Sequence, residues 1–207
     1  MAFIGIAGPI GVGKSTLTRD LAAHLGFKAY FEPVESNPYL EDFYEDMKRW
    51  GFTMQMHLLA RRFAQHQELV WQRDSAVQDR TIYEDTVFAR LLHEGGFIDD
   101  RDYETYLDHF HVMLRYLVYP DIIVYLRCTP EVAARRIRAR AREAEREIPM
   151  TYLEELHLGY EAFAIEMRCH TVVVDIDWEE FVPVERVANL VLDAAEKRPF
   201  ARSPHRV

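Results

Sequence analysis

The sequence predicts an α/β protein, a five-stranded parallel sheet flanked by helices on both faces. Two observations carry this. Five short apolar stretches (residues 2–7, 28–32, 75–79, 122–126 and 171–175) read as buried strands, and segments of helical periodicity separate them. Strands that alternate with helices pair in parallel, with the helices covering both sheet faces. The second is Gly8-Pro9-Ile10-Gly11-Val12-Gly13-Lys14-Ser15, a glycine loop set between the first strand and a helix. In an open parallel sheet the functional crevice lies at the carboxyl ends of the strands, which is where this loop falls.

In order, the first strand and its helix take residues 2 to about 25, and Gly26 ends that helix as a C′ glycine. Lys28-Ala29-Tyr30-Phe31-Glu32 is the second strand, stopped by Pro33. Pro38 opens a helix carrying Tyr39, Leu40, Phe43 and Tyr44. A longer amphipathic helix runs from Phe52 to Trp71, with Met54, Leu58, Leu59 and Phe63 apolar and Gln55, Arg62 and Gln65 interrupting them. Ser75–Asp79 is a buried strand with an acid at its carboxyl end. The helix through Val87, Leu91 and Leu92 breaks at Gly95-Gly96, and Asp99-Asp100 caps the next. Pro120-Asp121 leads into strand Ile122–Leu126, and Thr129-Pro130-Glu131 starts an arginine-rich helix. Pro149 starts a helix through Tyr160 and Met167, Thr171–Asp175 is the fifth strand, and Pro183 to Lys197 closes the fold. Residues 1–197 form one domain, with 198–207 expected to be a mobile tail.

A chain of 207 residues, 49% of them hydrophobic, suits one domain with a full core. No apolar run approaches the roughly 20 residues that span a bilayer. The N-terminus enters a strand at once, which leaves no room for a signal peptide. Cys128 and Cys169 make neither a disulfide framework nor a zinc site, and the expectation is a cytoplasmic protein without a membrane partner. A net charge of −9 argues against nucleic-acid binding. Against that average, arginines crowd the segment from Arg127 to Arg146, a placement suited to a small anion.

The glycine loop fits G-x-x-x-x-G-K-[ST] in its required strand–loop–helix context. Its backbone N–H groups and the helix N-terminus behind it form a phosphate cradle, extending over Gly8, Pro9, Ile10, Gly11, Val12, Gly13, Lys14, Ser15 and Thr16. Lys14 reaches the β- and γ-phosphates of a nucleoside triphosphate, and the Ser15 hydroxyl sits on Mg²⁺. Glu32 and Asp79 each end a strand beside the loop. A carboxylate there can take a nucleophile's proton, and a second can organise Mg²⁺. By position alone, Glu32 could equally be a solvated acid at a strand end, and Arg80 could pair with either carboxylate or with a transferring phosphate.

Glu32-Pro33-Val34, Tyr44-Glu45-Asp46, Arg49-Trp50-Gly51-Phe52-Thr53-Met54-Gln55, Asp79-Arg80-Thr81-Ile82-Tyr83-Glu84-Asp85 and the arginine helix together resemble the deoxynucleoside kinase family, nearly from end to end. Asn37-Pro38-Tyr39-Leu40 and Val77-Gln78-Asp79-Arg80 are most similar to its bacterial deoxyadenosine/deoxycytidine branch. The resemblance implies a P-loop kinase fold, ATP and Mg²⁺, a deoxynucleoside substrate and a homodimer formed through helices. It implies Glu32 as base for the 5′-hydroxyl, Arg80 holding Glu32 and the 5′-oxygen, and Asp79 organising Mg²⁺ through water. Tyr44 and Glu145 would bind the 3′-hydroxyl, Gln55 the base edge, and Arg62 with Asp85 the exocyclic group. Arg136, Arg140 and Arg142 would form a lid, within residues 136–148, over the donor phosphates. Phe88 is the candidate aromatic beside the base, in a segment one residue shorter than in several relatives.

Two other readings share some of these features. A monophosphate kinase of thymidylate-kinase type has the same loop, an Asp-Arg motif and an arginine lid, and the acceptor it phosphorylates tells it apart. A P-loop switch needs a water-positioning residue and mobile switch loops, where this chain has a carboxylate after strand two.

Overall fold

The computed structural model describes residues 1–32, 37–140 and 148–197. Five strands form one sheet, β1 (Phe3–Ala7), β2 (Lys28–Tyr30), β3 (Ala76–Asp79), β4 (Ile122–Arg127) and β5 (Val172–Asp177), in the order β2-β3-β1-β4-β5 and all parallel. Around them lie α1 (Lys14–Leu25), α2 (Leu40–Glu45), α3 (Met47–Gln72), α4 (Asp85–Glu94), α5 (Asp100–Leu114), α6 (Pro130–Arg140), α7 (Met150–Met167) and α8 (Val184–Lys197). No helix among the described residues is long and apolar enough to cross a membrane.

Alternation along the strands sorts two cores. In β4, Ile122, Val124 and Leu126 face a cluster with Leu17 and Leu21 of α1, Val132 of α6 and Val187 and Val191 of α8. Ile123 and Tyr125 face the opposite cluster, built by Leu59 of α3, Val87 of α4, Tyr106 of α5 and Leu156, Tyr160 and Phe163 of α7. Because successive side chains of a strand point to opposite faces, a sheet buried on both sides reads as a continuous apolar run. The middle strand β1 lies between β3 and β4; the chain leaves it toward β2 and later crosses from β3 to β4. That reversal opens a crevice at the carboxyl ends of β1 and β3.

Several boundaries differ from the sequence expectation, among them α2, which begins at Leu40 and not at Pro38, and β4, which ends at Arg127 and not at Leu126. β2 is only Lys28–Tyr30, so Glu32 lies two residues beyond the strand rather than at its end. Gln65 of α3 holds that extension by donating to the Phe31 carbonyl at 2.8 Å. α3 begins at Met47 instead of Phe52, because the Asp46 side chain accepts from Arg49 N–H and caps it. β5 continues to Asp177, in register with Arg127 of β4.

Candidate active site

The loop after β1 turns into α1 through Gly11 (φ 80°) and Gly13 (φ 101°), left-handed conformations that a side chain would strain. A Cβ on Gly11 would also lie 2.5 Å from Ile137 Cγ1 and 2.9 Å from the Ala133 carbonyl, so α6 is packed directly on the loop. Gly13 is the N-cap of α1 and makes no side-chain cap, leaving the helix start to backbone N–H groups. Lys14 is buried and its Nζ donates to the carbonyls of Gly8 and Pro9, each at 2.9 Å. Burial, helped by the charge of Arg80, lowers its pKa to about 8. Ser15 Oγ donates to Asp79 Oδ2, which binds the loop to the end of β3. The other Asp79 oxygen is buried and has no hydrogen-bond partner among the described residues.

One cleft connects this loop to α2 and α3. It is lined by Ile10, Gly11, Gly13, Lys14, Ser15 and Thr16, by Glu32, Asp79, Arg80, Arg62 and Arg140, and also by Tyr44, Gln55, Leu58, Phe88 and Tyr152. Glu32 accepts from Arg62 Nη2 and, at 3.3 Å, from Arg80 Nε. Burial alone would raise its pKa, but the charges of Arg80, Arg62 and Lys14 outweigh that and hold it at about 2. Arg62 also donates through Nη1 to Asp85, which is fully buried. The guanidinium of α3 therefore joins two carboxylates, one from two residues beyond β2 and one from the start of α4. The family resemblance pairs it with Asp85 alone. Gln55, about one turn before Leu59 and two turns before Arg62 on α3, sits 3% exposed with Oε1 unpartnered among the described residues.

Arg80 holds a left-handed backbone (φ 64°), rare outside glycine. Its N–H donates to Ile6 O at 3.1 Å, Nη1 donates to Tyr160 Oη, and its guanidinium lies 4.6 Å over the Phe88 ring. Phe88 thus borders the cleft beside Arg80.

Among the lid arginines, Arg140 lines the cleft, whereas Arg136 is not among the lining residues. Its guanidinium donates to the carbonyls of Val12, Trp178 and Glu179 and lies 4.4 Å over the Phe181 ring. Carbonyl acceptors and a ring face have claimed it, so Arg136 braces α6 against the glycine loop and the end of β5. Arg142 and Glu145, with the rest of the expected lid and the tail 198–207, lie outside the described residues. The residues missed in the sequence are Glu84, Tyr152 and Tyr160. Glu84 had a signal, since Thr81-Ile82-Tyr83-Glu84 is a capping-box pattern, and its Glu84 half forms, with Oε1 accepting from the Thr81 N–H. The two tyrosines of α7 had none.

Residues 4–198 match the deoxynucleoside kinase family. The chain belongs to that family. This kinase is 42% identical over 197 residues to a deoxyadenosine kinase of Dictyostelium discoideum, covering 95% of this chain and 80% of that one. It is 44% identical over 163 residues to a deoxyadenosine/deoxycytidine kinase of Bacillus subtilis, covering 77% and 75%. In three dimensions the kinase is similar to a deoxyadenosine kinase from M. mycoides solved with the products dCMP and dCDP. The TM-score is 0.83 at 32% identity, over 94% of this chain and 98% of that one. The same M. mycoides protein has also been solved with bound dATP.

Proposed function

We propose that this enzyme transfers the γ-phosphoryl group of ATP to the 5′-hydroxyl of a deoxynucleoside, with deoxyadenosine and deoxycytidine preferred and deoxyguanosine behind them. The observation that carries the reading is one cleft holding the phosphate loop, an ionised Glu32 and a buried amide, Gln55, with an unpartnered acceptor. The substrates named for the Dictyostelium and Bacillus relatives support the same choice of base.

Phosphoryl transfer through a loose transition state asks the protein mainly for position and compensating charge. Lys14 supplies charge at the transferring phosphate. Arg80 orients Glu32 and meets the 5′-oxygen. The proton leaves that oxygen late, as the new P–O bond forms, which suits a base held at about 2. Tyr44, with Glu145, takes the 3′-hydroxyl; Arg140, with Arg142, closes over the donor. Phe88 packs beside the base, whose edge meets Gln55 and the Arg62–Asp85 pair. Hydroxyl and carboxylate oxygens are the donors that Mg²⁺ selects, and Ser15 with the unpartnered oxygen of Asp79 fits that ion. When bound there, Mg²⁺ neutralises charge on the donor phosphates. The enzyme is read as cytoplasmic and as a homodimer.

Initial rates with ATP–Mg²⁺ against the four deoxynucleosides, their ribose counterparts and their monophosphates test this reading. Turnover of deoxyadenosine and deoxycytidine, without turnover of monophosphates, is expected. Phosphorylation of monophosphates alone would overturn it.

A further inference from the structure

Behind the cleft lies a buried polar chain to which no role has been given. Glu84, fully buried, accepts from the Thr81 N–H through Oε1 at 2.9 Å. Through Oε2 it accepts from the Tyr160 hydroxyl at 2.9 Å and from the Gly8 N–H of the phosphate loop at 3.4 Å. Tyr160 Oη in turn accepts from Arg80 Nη1. One carboxylate therefore touches the phosphate loop, the turn after β3 and α7.

A capping box accounts for Oε1 alone. Removing a carboxylate from water is costly unless its oxygens are all used, and burial here pushes the Glu84 pKa up. The second oxygen is spent on groups that do not belong to the turn. Two of these contacts, through Tyr160 and through the Thr81 N–H, lead to Arg80. Its left-handed backbone is held on one side by Ile6 O and on the other by the Thr81–Glu84 bond. Its guanidinium is held by Tyr160 on one nitrogen and Glu32 on another. A sparsely populated backbone conformation persists only where its surroundings over-determine it.

We propose that Glu84 and Tyr160 are positioning residues for phosphoryl transfer, a buried relay that sets Arg80, and through it Glu32, in register with the phosphate loop. The proposal rests on the kinase reading above, in which Arg80 and Glu32 serve the 5′-oxygen. Neither residue touches substrate; both act through Arg80.

The test is Tyr160→Phe, which removes one hydroxyl and keeps a ring stacked on Tyr125 and packed edge-on to Phe163 and Phe88. The loss of a hydrogen bond to a charged group predicts a kcat lower by roughly tenfold or more, with nucleoside KM within about twofold. The thermal midpoint should fall by several degrees, since Glu84 and Arg80 each lose a buried partner, so kcat is compared well below the variant's transition. The acid limb of kcat/KM should move to higher pH, because a loosened Arg80 no longer holds the Glu32 pKa down. A merely structural hydroxyl would not move that limb. In an Arg80→Lys background the same change should have no further effect, and Glu84→Gln should resemble Tyr160→Phe. Wild-type kcat in Tyr160→Phe, or a loss that adds in full to that of Arg80→Lys, would overturn the relay. A wild-type enzyme without nucleoside kinase activity would instead overturn the reading it rests on.

Discussion

At the scale of single residues, charge in the cleft is set by burial and by near neighbours. Lys14 lies buried against two carbonyls, and its pKa falls from 10.5 to about 8. A group whose charged form is disfavoured by folding weakens the fold while it stays protonated, so this cost is relieved as pH rises from about 8 toward 10.5. Lys14→Ala should therefore melt no lower than wild type at neutral pH, while kcat falls by roughly a hundredfold or more. In the wild type, kcat/KM for ATP should decline above about pH 8 as the lysine loses its proton. A flat profile to pH 9.5 would remove Lys14 from the phosphate site. Glu32 has the opposite sign. Its depressed pKa contributes stability above the ordinary value of 4.5, lost as pH falls toward about 2. Glu32→Gln should lower kcat and kcat/KM together by ~10² or more with little change in nucleoside KM. It should also lower the thermal midpoint, because Arg62 and Arg80 keep their buried charges and lose a carboxylate partner. A variant that lost only affinity would make Glu32 a binding group.

Between elements, one side chain of α3 links two carboxylates that stand on different elements of the fold. Arg62 bonds Asp85 at the start of α4 and Glu32 beyond β2. On the proposed reading the Asp85 carboxylate would accept from the exocyclic amine of adenine or cytosine, whereas thymine would set a carbonyl oxygen against it. Rejection on such grounds can reach ~10⁴ in kcat/KM. Arg62→Met with Asp85→Ala should lower activity on amine-bearing bases and raise it on thymidine, as rates with both nucleosides will show. Asp85→Ala alone should do worse, since it strands half of the guanidinium. Because Arg62 also helps to hold Glu32 ionised, the double variant should shift the acid limb of kcat/KM upward whichever base is used. Equal wild-type turnover of thymidine and deoxyadenosine would refute this account of base choice.

For the molecule as a whole, the sheet order puts β1 in the middle and sends α1, α6 and α8 to one face and α3, α4, α5 and α7 to the other. The second layer leaves large apolar side chains in water, among them Val112 on α5 and Leu158 and Ile165 on α7. Apolar surface of that kind favours association through helices. Sedimentation at micromolar concentration should give a species of twice the 24.4 kDa chain mass. A monomer across that range would refute the homodimer.

Tyr44, Gln55, Arg62, Phe88 and Arg140, which line the cleft, are reached through the family resemblance, whereas the parallel sheet, the phosphate loop and the acids Glu32 and Asp79 are legible in the residues themselves. Those signals are local: apolar runs bounded by turn residues, glycines at fixed spacing, and a motif read within its own strand and helix. The sequence also carried the capping box at Thr81 and Glu84, though not the use of that acid's second oxygen. Only the tertiary structure decided which distant groups share a carboxylate. Arg62 reaches Glu32 across 30 positions, and Tyr160 reaches Arg80 across 80. Arg136 shows the same limit from the other side. Its place in an arginine run suits a lid, yet the packing of α6 on the glycine loop delivers it to three backbone carbonyls. Hydrogen bonds between side chains act over about 3 Å, so their pairing depends on how helices settle on the sheet, and no spacing along the chain encodes that.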